Sequence, residues 1–322
     1  MASSQFVSVC TIDALARAAK QLKDGHLIAF PTETVYGLGA DAQNEAAVAR
    51  IYKVKGRPQD HPLIVHIGDW QLMGEWADEI PDYAIDLARA FWPGPMTLIL
   101  KRSDLAKDFV TGNQNTVGIR VPNQTLALQL LTEFAKIGGK GIAAPSANRF
   151  GQVSPTTAEA VREELGGYLD EDDSILDGGP SSVGVESTII DCTGLYPRIL
   201  RPGAITIEDI KGVTGLEVAA PESSDIRVSG SLENHYAPAA QVLLDVTPLP
   251  GDGLIALADI ETPKDVIRLA APKSAEQFAH LLYAALREGD SKNLERIVVM
   301  QPQGEGMAIA IRDRLNRAAS GR

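Results

Sequence analysis

The chain predicts an α/β fold in two domains, and three observations carry that prediction. Short apolar runs alternate with segments of helical periodicity along almost the whole length. Residues 219–238 break the alternation: they hold Pro221, Ser223, Ser224 and Ser229-Gly-Ser231 without an apolar period, and read as a linker. The length of 322 residues suits two cores. The expected division is a larger domain over 1–218, the linker, and a small Rossmann-like α/β domain over 239–322.

The elements follow in order. Residues 12–24 predict a helix, with Ile12, Leu15, Ala19 and Leu22 on one face and Gly25 to end it. Leu27-Ile-Ala-Phe30 is a buried strand that stops at Pro31, which cannot donate to a ladder. The loop Pro31-Thr-Glu-Thr-Val-Tyr-Gly-Leu-Gly39 comes next. Asn44 caps a helix through Lys53, and Leu63–Ile67 is a second strand. Helices at 69–77 and 82–91 end at Trp92-Pro-Gly-Pro95. Met96–Leu100 and Val117–Val121 are strands on either side of the polar loop Asn113-Gln-Asn-Thr116. A helix over 124–136 and Gly138-Gly139 lead to strand 141–144, which ends in Pro145-Ser-Ala-Asn148. Ser154 is the expected cap of a helix at 156–166. Asp170-Glu-Asp-Asp173 reads as solvated surface, and the glycine-rich run 177–184 precedes strand 186–191. A further strand ends at Ile199-Leu-Arg-Pro-Gly203.

Beyond the linker, strands at 242–244, 254–257 and 297–300 alternate with helices at 276–287 and 309–318, which suggests a small parallel sheet. Pro250-Gly-Asp-Gly-Leu-Ile-Ala256 fits G-x-G-x-x-A but precedes its strand. A dinucleotide fingerprint requires strand then helix, so this run reads as a hairpin-like turn.

Composition narrows the function. Thirty Lys plus Arg face 42 Asp plus Glu, a net charge of -12, which argues against a general nucleic-acid coat or an anionic-membrane binder. Cys10 and Cys192 form no paired motif, and the N-terminus lacks the basic start and apolar run of a secretion signal, so a reducing cytoplasm is expected. No apolar run approaches the roughly 20 residues that span a bilayer. The P-loop, nucleophile-elbow, H-E-x-x-H and C-x-x-C patterns are missing, and no metal site from side chains is expected.

Candidate chemistry gathers at strand ends, where ligands collect in open α/β sheets. The 31–39 loop offers hydroxyls, a carboxylate and glycines that let a ligand approach the backbone. From Arg50 to His61 there are four Lys or Arg and one acid, a local reversal of sign that fits a solvated helix end or an anion site. Arg120 sits within a strand and needs a carboxylate partner, from the protein or a ligand. His66 is open to a structural or a ligand role. The 177–184 run is a turn or an anion cradle.

Taken together, the motifs resemble the threonylcarbamoyl-AMP synthase (YrdC-like) family in its two-domain form. They are the 31–39 loop, Lys55-Gly-Arg-Pro58, His61-Pro-Leu-Ile-Val-His66, Pro93-Gly-Pro-Met-Thr97, Gly118-Ile-Arg-Val-Pro122, Pro145-Ser-Ala-Asn148, Ser154-Pro-Thr156, Ser187-Thr188 and Arg201-Pro-Gly203, in the family's order. Leu282-Tyr-Ala-Ala-Leu-Arg287 and Ala310-Ile-Arg-Asp-Arg-Leu315 resemble its C-terminal domain. The resemblance implies a twisted open mixed sheet with flanking helices around a concave basic pocket. It implies that L-threonine, bicarbonate or CO2, and ATP with Mg²⁺ condense to threonylcarbamoyl-AMP and pyrophosphate, and that a tRNA threonylcarbamoyl transferase complex uses the product beside the anticodon. A weak tRNA contact is compatible with it.

The resemblance also implies roles. Lys55, Arg57, Ser146 and Asn148 would be catalytic. Thr34, His66, Arg120, Ala144 and Ser187 would surround threonine. Arg57, His61, Thr116, Ser146, Asn148, Ser154, Arg201 and Tyr236 would surround ATP, with His61 where members often carry Asn. His235-Tyr-Ala-Pro238 matches the end of a linker that closes over the pocket in relatives, while Ser229-Gly-Ser-Leu-Glu-Asn234 departs from it. A plain tether is the alternative. Two rival functions share the core: carbamoyl transfer of the hydrogenase-maturation kind, whose cysteine-rich modules this chain lacks, and a non-enzymatic RNA-binding module.

Overall fold

The computed structural model describes residues 5–7, 11–219, 226–230 and 236–320. Eleven strands build the large sheet: β1 (Gln5–Val7), β2 (Ile28–Phe30), β3 (Gly37–Asp41), β4 (Ile64–His66), β5 (Ala77–Asp78), β6 (Met96–Arg102), β7 (Thr116–Arg120), β8 (Ile142–Ala143), β9 (Ser174–Leu176), β10 (Thr188–Asp191) and β11 (Arg198–Arg201). Their order is β1-β9-β2-β3-β8-β4-β7-β6-β10-β11, with β5 paired to β6. The sheet is mixed: β4 runs parallel to β7, while β2–β3, β3–β8 and β6–β7 are antiparallel. The expected mixed sheet with flanking helices is therefore present.

The sheet is covered by α1 (Ile12–Asp24), α2 (Glu45–Lys55), α3 (Met73–Trp76), α4 (Asp82–Phe91), α5 (Asp108–Thr111), α6 (Thr125–Lys136), α7 (Ala158–Leu165) and α8 (Ile207–Thr214). Successive strand residues point to opposite faces, and the cores follow that period. Ile28 and Phe30 pack with Leu15 and Leu22 of α1 and Phe134 of α6. Ala29 and Leu27 join Ile51 of α2 and Leu87 of α4 on the other side. Thr11 caps α1 and Asn44 caps α2, each accepting a backbone N–H three residues on.

The second sheet has four parallel strands, β12 (Gln241–Leu244), β13 (Gly253–Ile255), β14 (Ile267–Ala270) and β15 (Arg296–Val299), in the order β12-β15-β13-β14. Helices α9 (Ala275–Ser291) and α10 (Met307–Ala319) complete the small domain. Val35, Val153 and Val185 of the large domain share one core cluster with Phe278, Ala279, Leu282 and Tyr283 of α9. At Gly184 (φ +85°) an added Cβ would lie 2.5 Å from the Ala279 carbonyl oxygen, so this glycine permits the close approach of α9.

Several expectations change. Gly37 and Gly39 belong to β3 rather than to a loop. A Cβ on Gly39 would lie 2.7 Å from Ile142, so strand packing demands the glycine. Helix α2 runs two residues past Lys53, because Gly56 adopts the left-handed conformation that closes it, and Lys55 is buried as a result. Ile12 is 74% exposed, since it is the first residue of its helix. Thr157, not Ser154, caps α7; Ser154 is fully buried and donates to Glu186. The run at 250–256 is no hairpin: Gly251 and Asp252 turn into β13, which pairs in parallel with β14 and β15.

The acidic run 170–173 is not wholly solvated. Asp173 is fully buried and accepts from the Leu27 N–H at 2.8 Å and from both terminal nitrogens of Arg50, at 3.0 and 2.7 Å. It ties the end of α1 and the start of β2 to α2, a long-range partnership that a local charge pattern does not reveal.

The described parts of the linker are packed. Val228 is buried against Ile99 and Ile189, Arg227 donates to the Gly112 carbonyl, and Tyr236 is 1% exposed. Residues 231–235, including His235, lie outside the described residues. Among the described residues no helix is long and apolar enough to cross a membrane.

Asp173→Ala should lower the free energy of urea unfolding by about 3 kcal/mol, the cost of stranding buried partners. A loss below about 1 kcal/mol would mean that Asp173 does not anchor this corner.

Candidate active site

The ends of β2, β4, β7, β8 and β11 converge on one cavity. The parallel register of β4 and β7 sets His66 beside Arg120. Gly37 at the start of β3 bridges to Ser146, which carries the 145–148 loop to the same place. Ser187 lies just before β10, and Arg201 ends β11 opposite Ile189.

Arg120 has the protein partner its burial requires. It donates to Glu33 at 2.6 Å and to Thr34 Oγ1 at 2.9 Å, while the other Glu33 oxygen accepts the Asn123 N–H at 3.0 Å. The ion pair does not exhaust the guanidinium: Arg120 Nε has no hydrogen-bond partner. Arg57 Nε and His66 Nδ1 are likewise buried without one. Three buried polar atoms without a protein partner, on residues lining one cavity, fit a site for a polar ligand.

The lining is locally basic. Arg57, Arg120 and Arg201 line it together with one carboxylate, Glu186. Burial lowers the Arg57 guanidinium to about 10, which leaves it charged at neutral pH. Burial and the adjacent Arg120 push His66 down to about 3, so its imidazole is neutral. Arg201 is spent largely on backbone, donating to the Ser187 carbonyl at 2.9 and 3.1 Å and to the Ser229 carbonyl at 2.8 Å.

Comparison with known proteins sharpens this picture. A family model described as telomere recombination (Sua5_yciO_yrdC) matches residues 20–203, and one described as threonylcarbamoyl-AMP synthase, C-terminal domain, matches 205–320. Threonylcarbamoyl-AMP synthases from Pyrococcus abyssi and Bacillus subtilis are each 38% identical, over 94% and 96% of this chain and 93% of each relative. The chain belongs to the threonylcarbamoyl-AMP synthase family. The crystal structure of P. abyssi Sua5 complexed with L-threonine superposes with a TM-score of 0.87 at 35% identity, covering 99% of this chain and 98% of that one. The matches take in both domains, as expected of the family's two-domain form.

Of the residues expected from the family's motifs, Thr34, His66, Arg120, Ala144 and Ser187 line the cavity. So do Arg57, Ser146, Arg201 and Tyr236. Lys55 stands behind the wall: its Nζ donates to the Ser146 carbonyl at 2.6 Å and to that of Asn148, and burial followed by the charge of Arg57 lowers its pKa well below the usual value. Asn148 is also turned inward, donating to the Arg149 and Gln152 carbonyls. Ser154 is engaged by Glu186. Thr116 lines a neighbouring small cavity beneath Arg227 and Ser229, and His61 meets the Phe150 ring edge-on at 5.5 Å.

Sequence reasoning passed over other lining residues. Thr32 and Tyr36 stood inside the opening motif without a role, and Glu186 opened a strand whose next residue drew attention. Ser229 and Gly230 reach the cavity from the linker, and only the folded path of that segment shows it.

His66 also sets a pH dependence. Its pKa is lowered from 6.5 to about 3, so below pH 6.5 the unfolded chain binds the proton more readily. The contribution is whole above 6.5 and is lost as pH falls toward 3. Between pH 7 and about pH 5 the wild type should lose about 2 kcal/mol more stability than His66→Gln, read from urea unfolding at both pH values. Equal losses would show that His66 is not held neutral.

Proposed function

We propose that this cavity condenses L-threonine, bicarbonate-derived CO2 and ATP to threonylcarbamoyl-AMP and pyrophosphate. The supporting observation is the cluster of unsatisfied Arg57, Arg120 and His66 atoms around a basic cavity in a chain of net charge -12. Two anionic substrates and a triphosphate need such a pocket. The division at residue 218, with 219–238 as linker and lid, belongs to the same reading, as does a cytoplasmic location.

In this reading the threonine carboxylate lies against Arg120, whose guanidinium Glu33 and Thr34 hold in place and whose Nε has no protein partner. Ala144, Ser187 and the neutral His66 surround the amino acid. The amine adds to CO2 and sheds a proton to give a carbamate. A carbamate oxygen attacks the α-phosphorus of ATP, and pyrophosphate leaves. Arg57 meets the developing phosphate charge. Lys55 shapes the 145–148 loop from behind, since reaching phosphate would require it to leave two carbonyls. Ser146 and Arg201 line the nucleotide side with Tyr236, and Thr116, His61, Asn148 and Ser154 support its rim.

Mg²⁺ enters as part of the substrate, on the triphosphate. Among the described residues no cluster of three or more His, Cys, Asp or Glu could hold a metal, and the Glu186 carboxylate is already engaged. The linker acts as a lid. With Ser229, Gly230 and Tyr236 in place the cavity is about 50 Å³, room for only a few waters at about 10–15 Å³ each. A nucleotide therefore requires this segment to lift and reclose. The product passes to a tRNA threonylcarbamoyl transferase complex, and any tRNA contact is weak. The match of a C-terminal family model over 205–320 favours this reading over carbamoyl transfer or RNA binding.

Mass spectrometry of purified protein with ATP, Mg²⁺, bicarbonate and L-threonine should show pyrophosphate and threonylcarbamoyl-AMP only when threonine is present. Folded protein that binds ATP and yields no adduct would falsify the reading. Arg57→Ala should lower kcat by about a hundredfold while weakening ATP binding by less than about tenfold; equal losses would reduce Arg57 to an anchor.

A further inference from the structure

A carboxylate is out of place in the wall of a cavity that takes a triphosphate. Glu186 is 6% exposed and lines that cavity. Its Oε1 accepts from Ser154 at 2.6 Å. Its Oε2 accepts from Tyr283 at 2.9 Å and from Arg314 Nε at 2.7 Å. Both donors to Oε2 come from the C-terminal domain, from α9 and α10. The Arg314 side chain is fully buried and also donates to the Pro202 carbonyl at 3.0 Å and to Asp313 at 2.5 Å. Its guanidinium lies 5.4 Å from the Tyr236 ring, which stacks on Tyr283 at 5.8 Å. One residue of the second domain thus touches both a wall group and the lid tyrosine.

We propose that Arg314 is a positioning residue for nucleotide binding: it cancels the charge of Glu186 and holds Tyr236 in register, so that the C-terminal domain sets the field the triphosphate meets. The proposal rests on the reading that this cavity takes ATP.

The electrostatics agree with the geometry. Burial alone would raise the Glu186 carboxyl, but the charges of Arg314 and Arg201 and hydrogen bonds from Ser154 and Arg314 outweigh it and bring it to about 2. Glu186 is therefore ionised and paired. Without Arg314 the groups facing it are Ser154, Arg201, Tyr236 and Tyr283. Arg201 donates to the Ser187 and Ser229 carbonyls and makes no ion pair with it. The Glu186 charge, then opposed only by Arg201, which makes no ion pair with it, would face the incoming phosphates. A structural domain clamp would affect stability and every ligand alike; charge cancellation acts on the anionic nucleotide and is relieved by removing the Glu186 charge.

The test uses full-length protein and calorimetric titration with MgATP and, separately, L-threonine. Arg314→Met should weaken ATP binding by about tenfold or more and threonine binding by less than about threefold, and adding Glu186→Gln should restore ATP binding to within about threefold of wild type. ATP affinity of Arg314→Met should also recover relative to the wild type as pH is lowered and the less compensated carboxyl takes up a proton, and the double variant should not show this recovery. Arg314→Met that binds ATP like the wild type, or a loss that Glu186→Gln leaves in place, overturns the proposal. If Arg314→Met does not fold, the double variant decides: it removes both partners of the Arg314–Glu186 pair together, and ATP binding more than about tenfold weaker than wild type overturns the proposal. Wild-type protein that binds no ATP overturns the reading of the cavity itself, a result separable from unchanged binding in the variants.

Discussion

Buried guanidinium groups govern this structure, and each needs a partner that the fold must bring to it. Arg120 is the central case. A charged side chain inside a sheet is costly unless paired, and Glu33 comes from a loop nearly ninety positions earlier to pair it. That pairing orders Thr34, fixes the loop after β2 and leaves one guanidinium nitrogen without a partner. The same interaction that stabilises the loop prepares the site.

The other cations repeat the theme with different partners. Lys55 is satisfied by two carbonyls of the 145–148 loop, so its burial shapes that loop. Arg201 is satisfied by the carbonyls of Ser187 and Ser229 and joins the strand ends to the linker. Arg314 is satisfied across the domain boundary by Glu186. The cavity is thus walled by residues whose own hydrogen bonds hold them still, a condition for binding a charged ligand without reorganisation.

The two domains are joined on the same terms. Apolar contact between α9 and Val35, Val153 and Val185 supplies area, and the close approach at Gly184 lets it form. The polar cluster of Glu186, Tyr283, Arg314 and Tyr236 supplies specificity, because a carboxylate with three donors accepts few alternative arrangements. This is a physical reason for the small domain to sit beside the cavity.

Local signals read well from the chain alone. Periodicity located most helices and strands, though not α5 or α8, caps such as Asn44 marked starts, and Pro31 marked the strand end that carries the first motif. The ordered motifs of residues 31–203 were enough to name the family, because their residue types and spacing are local properties. What depends on long-range pairing could not be read. The short strands β3 and β9 are defined by their neighbours in the sheet rather than by their own pattern. Asp173 looked like surface until Arg50 and Leu27 closed over it. Ser154 looked like a cap until Glu186 claimed it. By itself the sequence determined the fold class, the two-domain plan and the family. Only the tertiary structure decided which of the motif residues face the cavity, and which stand behind it, because burial and hydrogen-bond partnership are set by segments far apart in the chain.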